Sequence, residues 1–184
     1  MDGKLTKIYS ASVNGIDATL ITIEVSVTVG YGITIVGLPD TAVKESAERI
    51  KASLRPHQIK LGRSNIVINM APADVKKEGA AFDLPLAIGI MASCGKVPEE
   101  ELNQYMIMGE LSLDGSVMPI KGVLPMAILA RSLNMKGFIV PKANDYEAAV
   151  VNNLDIYGVE NISDVIDLLS GTSQIQPTVV NTRE

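Results

Sequence analysis

The sequence has very few of the residues that build metal centres and disulfide frameworks. Cys94 is the only cysteine and His57 the only histidine among 184 residues. One residue of each type cannot complete a structural zinc site, and a single cysteine cannot form a disulfide within the chain. We therefore expect a reducing compartment, the cytoplasm. Because His57 lies in a separate polar turn, the sequence favours a buried structural thiol at Cys94 over a cysteine–histidine nucleophile.

Aromatic residues, an excess of positive charge and long apolar runs are also missing. Tryptophan is absent, aromatic residues make up 4% of the chain and the formal net charge is −5. Proteins that grip nucleic acid by bulk electrostatics usually have a basic excess, and base-stacking surfaces need more aromatic rings. The longest apolar run, LPLAIGIMASC, is far short of the roughly 20 residues that span a bilayer. The composition therefore predicts a soluble protein with no membrane partner.

The apolar residues follow patterns that predict strands. Residues 5–13 and 17–29 are β-branched and partly alternating around Asn14-Gly15, which predicts an N-terminal β-hairpin. ITIVGL (33–38) is continuously apolar, which is typical of a strand buried on both faces. Further strands are predicted at IVINM (66–70), GFIVP (137–141) and LDIYGV (154–159), with a second hairpin of YMIMGELSL and SVMPI around Asp114-Gly115.

Helical patterns alternate with these strands. Asp40 is a good N-cap for a helix that ends at Arg55-Pro56, and Arg49 is expected on its solvent side as an i,i+4 partner of Glu45. Asp83 is expected to cap a second helix that runs to Gly95. Shorter helices are predicted at 122–134, 145–151 and 163–171. Together these elements predict an α/β (α+β) domain with a mixed sheet and packed helices.

Two segments contain basic residues in settings where a phosphate site is conceivable. GIMASCGKV (89–97) has five residues between its glycines and Val97 after the lysine, whereas a phosphate loop needs four residues and then Ser or Thr. A glycine at a helix C-terminus explains this stretch better. In RPHQIKLGR (55–63), Arg55, Lys60 and Arg63 surround a turn. They are candidate phosphate contacts, and the alternative is a solvated loop.

The most organised motif is PADVKKEGAAFDLP (72–85). It leads from a strand through charged residues to a glycine, two alanines and a helix start, the layout of a loop that presents a nucleophile. Gly79 permits a positive φ angle or a close backbone approach, and the helix start offers free N–H groups. The motif predicts either a helix-initiating loop or a contact loop for another protein or subunit, whose candidate residues are Lys76, Lys77, Glu78, Gly79 and Asp83.

Three blocks of sequence resemble a known family in their order and spacing. They are GITIVGLPDTAVKESAERI (32–50), NMAPADVKKEGAAFDLPLAIGIMA (69–92) and GELSLDGSVMPIKGVLPMA (109–127). They are similar to the N-terminal domain of the ComM/YifB family, magnesium-chelatase-like AAA+ ATPases, over about residues 5–170. The resemblance implies a Lon-proteolytic-domain-like fold for residues 1–170. It implies that residues 171–184, which have no pattern of their own from Thr172 on, are a linker toward an ATPase domain absent from this chain.

The resemblance also defines where a protease dyad would stand. The family's N-terminal domain is similar to the proteolytic domain of Lon and to the C-terminal domain of RadA. In Lon-type proteases a serine stands two residues after the loop glycine, and its lysine partner follows a Gly-Glu…Pro-Ile segment. These two positions correspond to Ala81 and Leu124, with Lys121 three residues early and expected to point elsewhere. Without a hydroxyl and an amine, no acyl-enzyme can form by this route.

The function that the resemblance implies is that of a non-catalytic accessory domain. It would support hexamer assembly, DNA engagement or both, in an ATPase that promotes branch migration during recombination and natural transformation. ATP and Mg²⁺ would bind to the missing ATPase domain, and this chain would hold no cofactor or metal and would not be an enzyme. The alternatives are a protein-binding module and a degenerate serine–lysine peptidase. The magnesium-chelatase label does not imply tetrapyrrole chemistry.

Overall fold

The computed structural model describes residues 5–180. The elements in chain order are β1 (Thr6–Asn14), β2 (Asp17–Val29), β3 (Ile33–Val36), α1 (Thr41–Leu54), β4 (Ser64–Ala71), α2 (Asp83–Ser93), β5 (Tyr105–Ile107), β6 (Glu110–Leu111), β7 (Val117–Met118), α3 (Val123–Ser132), β8 (Gly137–Pro141), α4 (Asp145–Ala149), β9 (Asp155–Val159) and α5 (Ile162–Ser170). Within residues 5–180, none of the helices combines the length and the apolar character needed to span a bilayer.

Seven strands form one mixed sheet in the order β3-β4-β2-β1-β5-β8-β9. β1, β2 and β4 are antiparallel neighbours, and the remaining neighbours are parallel. The N-terminal hairpin pairs Asn14 with Asp17 across a two-residue turn. β6 and β7 form a separate two-stranded sheet. The predicted α/β class, mixed sheet and N-terminal hairpin are confirmed.

Two helices cover opposite faces of this sheet. Ten of the eleven residues of α2 are buried, and a Cβ added at Gly89 would lie 3.2 Å from Ile8 of β1. The glycine therefore lets α2 approach the sheet closely. At the start of α3, a Cβ added at Gly122 would lie 3.0 Å from Val13. Because side chains alternate between faces along a strand, Ile8 and Val13 point to opposite sides of β1.

Two strand predictions are wrong. ITIVGL is not buried on both faces: β3 is the edge strand of the sheet, and its Val36 side chain is 45% exposed. The second hairpin is shorter than predicted, because Tyr105–Ile107 joins the main sheet beside β1 and β8. Only Glu110–Leu111 and Val117–Met118 pair across Asp114-Gly115. Continuous apolar character did not distinguish an edge strand from a central one.

The helix ends test the capping predictions. Asp40 caps α1, since its Oδ1 accepts from Val43 N at 2.8 Å. At the other end of α2, Gly95 has a φ of 77°, and the amides of Gly95 and Lys96 donate to Ala92 and Met91, a Schellman ending. The prediction that Asp83 caps α2 is wrong, because Phe82 stands at the N-cap and Asp83 is the first helical residue.

The C-terminal segment 172–180 lies against the last strand. It has no helix or strand, which agrees with its lack of a sequence pattern. Thr178 N donates to Ile156 O of β9 at 2.8 Å. Thr178 Oγ1 also donates to Asp145 Oδ2 at 3.1 Å. This segment therefore covers the open edge of β9. The end of the predicted linker, residues 181–184, lies outside the described residues.

Candidate functional site

Hydrogen bonds hold the 72–82 loop against the connection between β3 and α1. Lys77 N donates to Leu38 O at 3.0 Å, and Asp40 N donates to Lys77 O at 2.9 Å. The second carboxylate oxygen of Asp40 accepts from Gly79 N at 3.0 Å. Gly79 has a φ of 86°, and a Cβ added there would meet no atom within 4 Å, so of the two expected roles this glycine has the positive φ and not the close approach. One aspartate thus caps α1 and positions the glycine of the loop.

Lys77 is part of this anchor and not of the surface. Its side chain is 0% exposed, and its Nζ donates to Gly37 O at 2.7 Å and to Pro72 O. Burial lowers the pKa of Lys77, against an opposing contribution from the nearby Asp74 carboxylate. The expectation that the Lys77 side chain contacts a partner is therefore corrected. Its ammonium group is buried and holds two backbone segments together.

Asp83 lies at the centre of a buried polar cluster. The carboxylate is 0% exposed and accepts from Arg49 Nε at 2.7 Å and Arg49 Nη2 at 2.9 Å. It also accepts from Ser46 Oγ at 2.6 Å and Leu111 N at 3.1 Å. The Asp83 hydrogen bonds raise the pKa of Arg49. These bonds join α1, α2 and β6, so Asp83 too is a structural residue and not a contact residue.

Part of the 72–82 loop borders a cleft of about 780 Å³. Lys76 and Glu78 stand on its lining with side chains 70% and 64% exposed, and their charged groups are 3.5 Å apart. Of the five predicted contact residues, the loop therefore presents two charged side chains. The cleft is also lined by Ser12, Val13, Ala81, Met108, Lys121 and Gly122.

The two dyad positions have different places in this cleft. Ala81 lines it, and its carbonyl accepts from Gly109 N at 2.9 Å. Leu124 is half-buried in the first turn of α3, where it packs against the core. Lys121 does line the cleft, so the expectation that it points elsewhere is wrong. Gly122, the next residue, has a φ of 82° and precedes the first residue of α3.

β1 contributes an open strand edge to the cleft. Asn14 and Asp17 close a two-residue hairpin turn, a pair that exchanges backbone hydrogen bonds. Ala11 and Val13 therefore direct their backbone groups away from β2. On that side the pairing with β5 is confined to Tyr9 in the described part of the chain, and Ala11 N meets only the Met108 sulfur at 3.5 Å. The edge beyond Tyr9 faces the cleft.

The predicted phosphate contacts lie at a different place. Arg55, Lys60 and Arg63 are all exposed. Arg55 lines a second cavity of about 430 Å³ that shares no lining residue with the cleft. Arg63 is stacked over the Tyr31 ring, 5.3 Å from its centroid. The structure thus brings Arg55 to a cavity, while Lys60 and Arg63 are not part of that cavity's lining.

The segment GIMASCGKV does not have the geometry of a phosphate loop. In GIMASCGKV the glycine and lysine form the C-terminal end of α2, whereas a phosphate loop opens a helix with free N–H groups. Within residues 5–180, no three His, Cys, Asp or Glu side chains cluster so that they could hold a metal ion. No step is therefore assigned to a nucleotide or a metal in this domain.

Comparison with known proteins defines the family. A family model described as subunit ChlI of Mg-chelatase matches residues 23–144. The chain belongs to this ChlI family. The competence protein ComM of Haemophilus influenzae is 38% identical over 172 residues, which are 93% of this chain and 34% of that protein. The uncharacterised protein YifB of Escherichia coli is 32% identical over 173 residues, with 94% and 34% covered.

A more distant match connects this ChlI-family chain with proteases. Lon protease 2 of Thermus thermophilus is 27% identical over 179 residues, which are 90% of this chain and 22% of that protein. The expected relationship to ComM, YifB and Lon-type domains is confirmed. The chain spans about a third of the length of ComM and YifB, so the activities of those longer proteins do not transfer to it directly.

Arg49 has a role that its sequence pattern did not indicate. It was expected to pair with Glu45 on the solvent side of α1, but it pairs with Asp83 and its side chain is only 22% exposed. Its Nη2 also donates to Ala42 O at 2.7 Å, one turn back along the helix. The sequence did contain a signal for this role. Ser46 and Arg49 lie three residues apart and therefore share a face of α1, and this face lies beside the buried Val43 and Ile50.

Proposed function

We propose that this chain is a non-catalytic accessory domain of a longer ChlI-family protein. In that protein it supports homo-hexamer assembly, DNA engagement or both, during branch migration in recombination and natural transformation. The observation that carries the proposal is that the 72–82 loop borders a cleft at which residue 81, the position of the serine in the similar proteases, is alanine. The 38% identity to a protein named for competence supports the cellular process.

The two side chains that a serine–lysine pair requires are absent at positions 81 and 124. Acyl transfer by a serine–lysine pair needs a nucleophilic hydroxyl and an amine that accepts its proton. Ala81 supplies no hydroxyl, and Leu124 supplies no amine and packs against the core instead of lining the cleft. Lys121 lines the cleft, but an amine without the serine at position 81 has no hydroxyl there to activate. The domain is therefore proposed to bind and position without cleaving.

The partners and cofactors of the whole protein follow from its length. Because this chain is about a third as long as its relatives, ATP and Mg²⁺ are proposed to bind in an ATPase domain outside residues 1–184. The domain itself has a net charge of −5, which disfavours non-specific DNA binding by this part. Between the two accessory roles, subunit contact in a cytoplasmic hexamer is therefore favoured over direct DNA contact.

A second candidate function, a protein-binding module, is supported by the open edge of β1. An extended peptide can add to an exposed strand edge through backbone hydrogen bonds. Val13, which is partly exposed on the cleft lining, offers part of such an edge, whereas Ala11 is buried and its amide contacts the Met108 sulfur. Lys76 and Lys121 on the lining would favour acidic side chains in the peptide.

Two experiments test the accessory role. In the first, the full-length natural protein is compared with a version that lacks residues 1–170, by light scattering with ATP and by a branch-migration assay on a model junction. We expect the shortened protein to lose hexamers and junction turnover. Unchanged assembly and unchanged turnover would refute the accessory role.

The second experiment tests the absence of catalysis. Chain 1–184 is incubated with labelled casein and with a peptide library, and we expect no cleavage. The matched control is the double variant Ala81→Ser/Leu124→Lys, which restores both side-chain types. Cleavage by the wild-type chain that disappears when Lys121 is changed to Met would contradict the proposal and favour the degenerate-peptidase alternative.

A further inference from the structure

The cavity of about 430 Å³ lies between the end of α1, the 55–63 turn and the first residues of β3 and β4. Its lining is mainly aliphatic and consists of Ile33, Leu54, Ile59, Leu61 and Ile66, with Tyr31, Lys51 and Arg55 also on the lining. A volume of this size is in the range of ligand pockets. It can accept one large apolar side chain with part of its neighbouring backbone.

The chain segment 51–63, which supplies much of this lining, carries charges of one sign. Residues 51–63 contain Lys51, Arg55, Lys60 and Arg63 and no aspartate or glutamate, in a chain whose net charge is −5. Lys51 is 46% exposed, and its one ion pair, with Glu48, is 3.5 Å long and exposed to solvent. Such a pair contributes little, so Lys51 can exchange Glu48 for another carboxylate at small cost.

Tyr31 makes the rim more specific than a basic patch alone. Its side chain is 75% exposed beside the aliphatic lining. The guanidinium of Arg63 lies over its ring at 5.3 Å, an arrangement that restrains the arginine beside the cavity. Tyrosine and arginine are the residue types enriched at energetically important positions of protein interfaces. Both stand here next to an open apolar pocket.

We propose that this cavity binds a short acidic segment of a partner protein, with one apolar side chain inserted among the aliphatic residues. Flanking carboxylates of the segment would contact Lys51, Arg55 and Arg63. Apolar burial would supply most of the affinity, and the charges would set the preference for acidic partners. The proposal does not rest on the accessory role proposed above, because it concerns different residues.

The surroundings favour a peptide over a nucleic acid. Tyr31 is the one aromatic residue on the lining of this cavity, and most of the other lining side chains are aliphatic, so a base would find a single ring there to stack on. The Tyr31 ring beside it already carries Arg63 on one face. The basic side chains surround one cavity in an acidic domain and do not extend into a track of the kind that follows a phosphate backbone.

The test uses chain 1–184 with a fluorescein-labelled peptide, Asp-Asp-Glu-Phe-Leu-Glu-Asp, followed by fluorescence anisotropy and by amide shifts in NMR spectra. We expect binding that weakens as salt is added, with shifts concentrated at residues 31–33 and 51–66. Replacing Phe and Leu of the peptide by Ser is expected to abolish binding, and replacing its acidic residues by Asn and Gln is expected to weaken it about tenfold.

Charge reversal in the protein separates the site from a general surface effect. Arg55→Glu is expected to weaken binding at least about tenfold, while Arg131→Glu, an exposed position on α3, is expected to leave it unchanged. Equal losses in both variants, or no amide shifts at about 1 mM peptide, would overturn the proposal. So would tighter binding of a single-stranded thymidine oligonucleotide that is lost in Arg55→Glu, since that result would assign the cavity to nucleic acid.

Discussion

Replacing Asp83 by asparagine removes one charge from the interior while it keeps the size of the side chain. The carboxylate accepts four hydrogen bonds, two from Arg49, one from Ser46 and one from Leu111 N. An asparagine has one oxygen in place of two, and its amide group would point two hydrogens at one of these donors. At least one donor loses its partner, and the guanidinium loses its counter-charge.

The size of the effect follows from burial. Removing one partner of a buried ion pair typically costs about 3–5 kcal/mol. Asp83 is 0% exposed, but the Arg49 side chain is 22% exposed and can be partly solvated when its partner is lost. We therefore expect the low end, a loss of about 3 kcal/mol in the free energy of unfolding. For a chain of this size that corresponds to a fall of about 6–12 °C in Tm.

Urea unfolding followed by circular dichroism measures this loss. The matched control is Lys76→Ala, which breaks an ion pair between two side chains that are 70% and 64% exposed and is expected to cost under about 0.5 kcal/mol. In the double variant Asp83→Asn/Arg49→Met the second change should add less than it costs alone, because the two side chains share one interaction. A loss below about 1 kcal/mol for Asp83→Asn would refute the assignment of Asp83 as the centre of the cluster.

Three further predictions concern the backbone and the titrating groups. Gly37→Ala is expected to lower the free energy of unfolding by more than about 2 kcal/mol, because its Cβ would lie 2.2 Å from Met70 O at a φ of 110°. Gly62→Ala, whose Cβ would meet no atom within 4 Å, should lower it by about 1 kcal/mol, as measured by urea unfolding. Lys77 has a lowered pKa, so the folded protein releases this proton at a lower pH than the unfolded chain. Wild-type stability should therefore rise relative to Lys77→Met as the pH rises toward the ordinary lysine pKa, and no relative rise in the urea midpoint would count against the burial of Lys77. The pKa of Asp114 is lowered to about 2 by hydrogen bonds from Ser112 and Ser116. The contribution of this group to folding stability is present above its unfolded pKa and is lost as the pH falls toward 2, so the stability of Asp114→Asn should depend less on pH in that window. An NMR titration midpoint of Asp114 near the ordinary aspartate value would contradict the prediction.

Local patterns were sufficient for the elements that local chemistry determines. The hairpin around Asn14-Gly15 and the cap at Asp40 were predicted from turn and capping preferences, and both are confirmed. The prediction for ITIVGL failed because burial on both faces depends on the place of a strand in the sheet. That place is decided by pairing between distant segments, which a single sequence does not contain.

The cleft shows the same limit. The positive φ of Gly79 was predictable, since the residue type permits it. The burial of Lys77 was not, because the partners of its ammonium are carbonyl oxygens, and every segment of a chain has these. The position of Lys121 on the cleft lining depends on the three-dimensional path of the chain, and counting residues from the lysine position of a protease could not reveal it.

The layout of the 72–82 loop can be explained without catalysis. Asp40 binds the Gly79 amide, Lys77 binds two carbonyls, and the backbone of Ala81, not its side chain, bonds to Gly109. None of these contacts requires a hydroxyl at position 81, so the scaffold that would present a nucleophile is stable without one. The charged residues that make the motif look like an active site are thus divided: Lys77 and Asp83 hold the fold together, and Lys76 and Glu78 are left at the cleft. Of these four side chains, Lys76 and Glu78 are the two that remain exposed on the cleft lining, and they are the ones available to a partner under the proposed binding role.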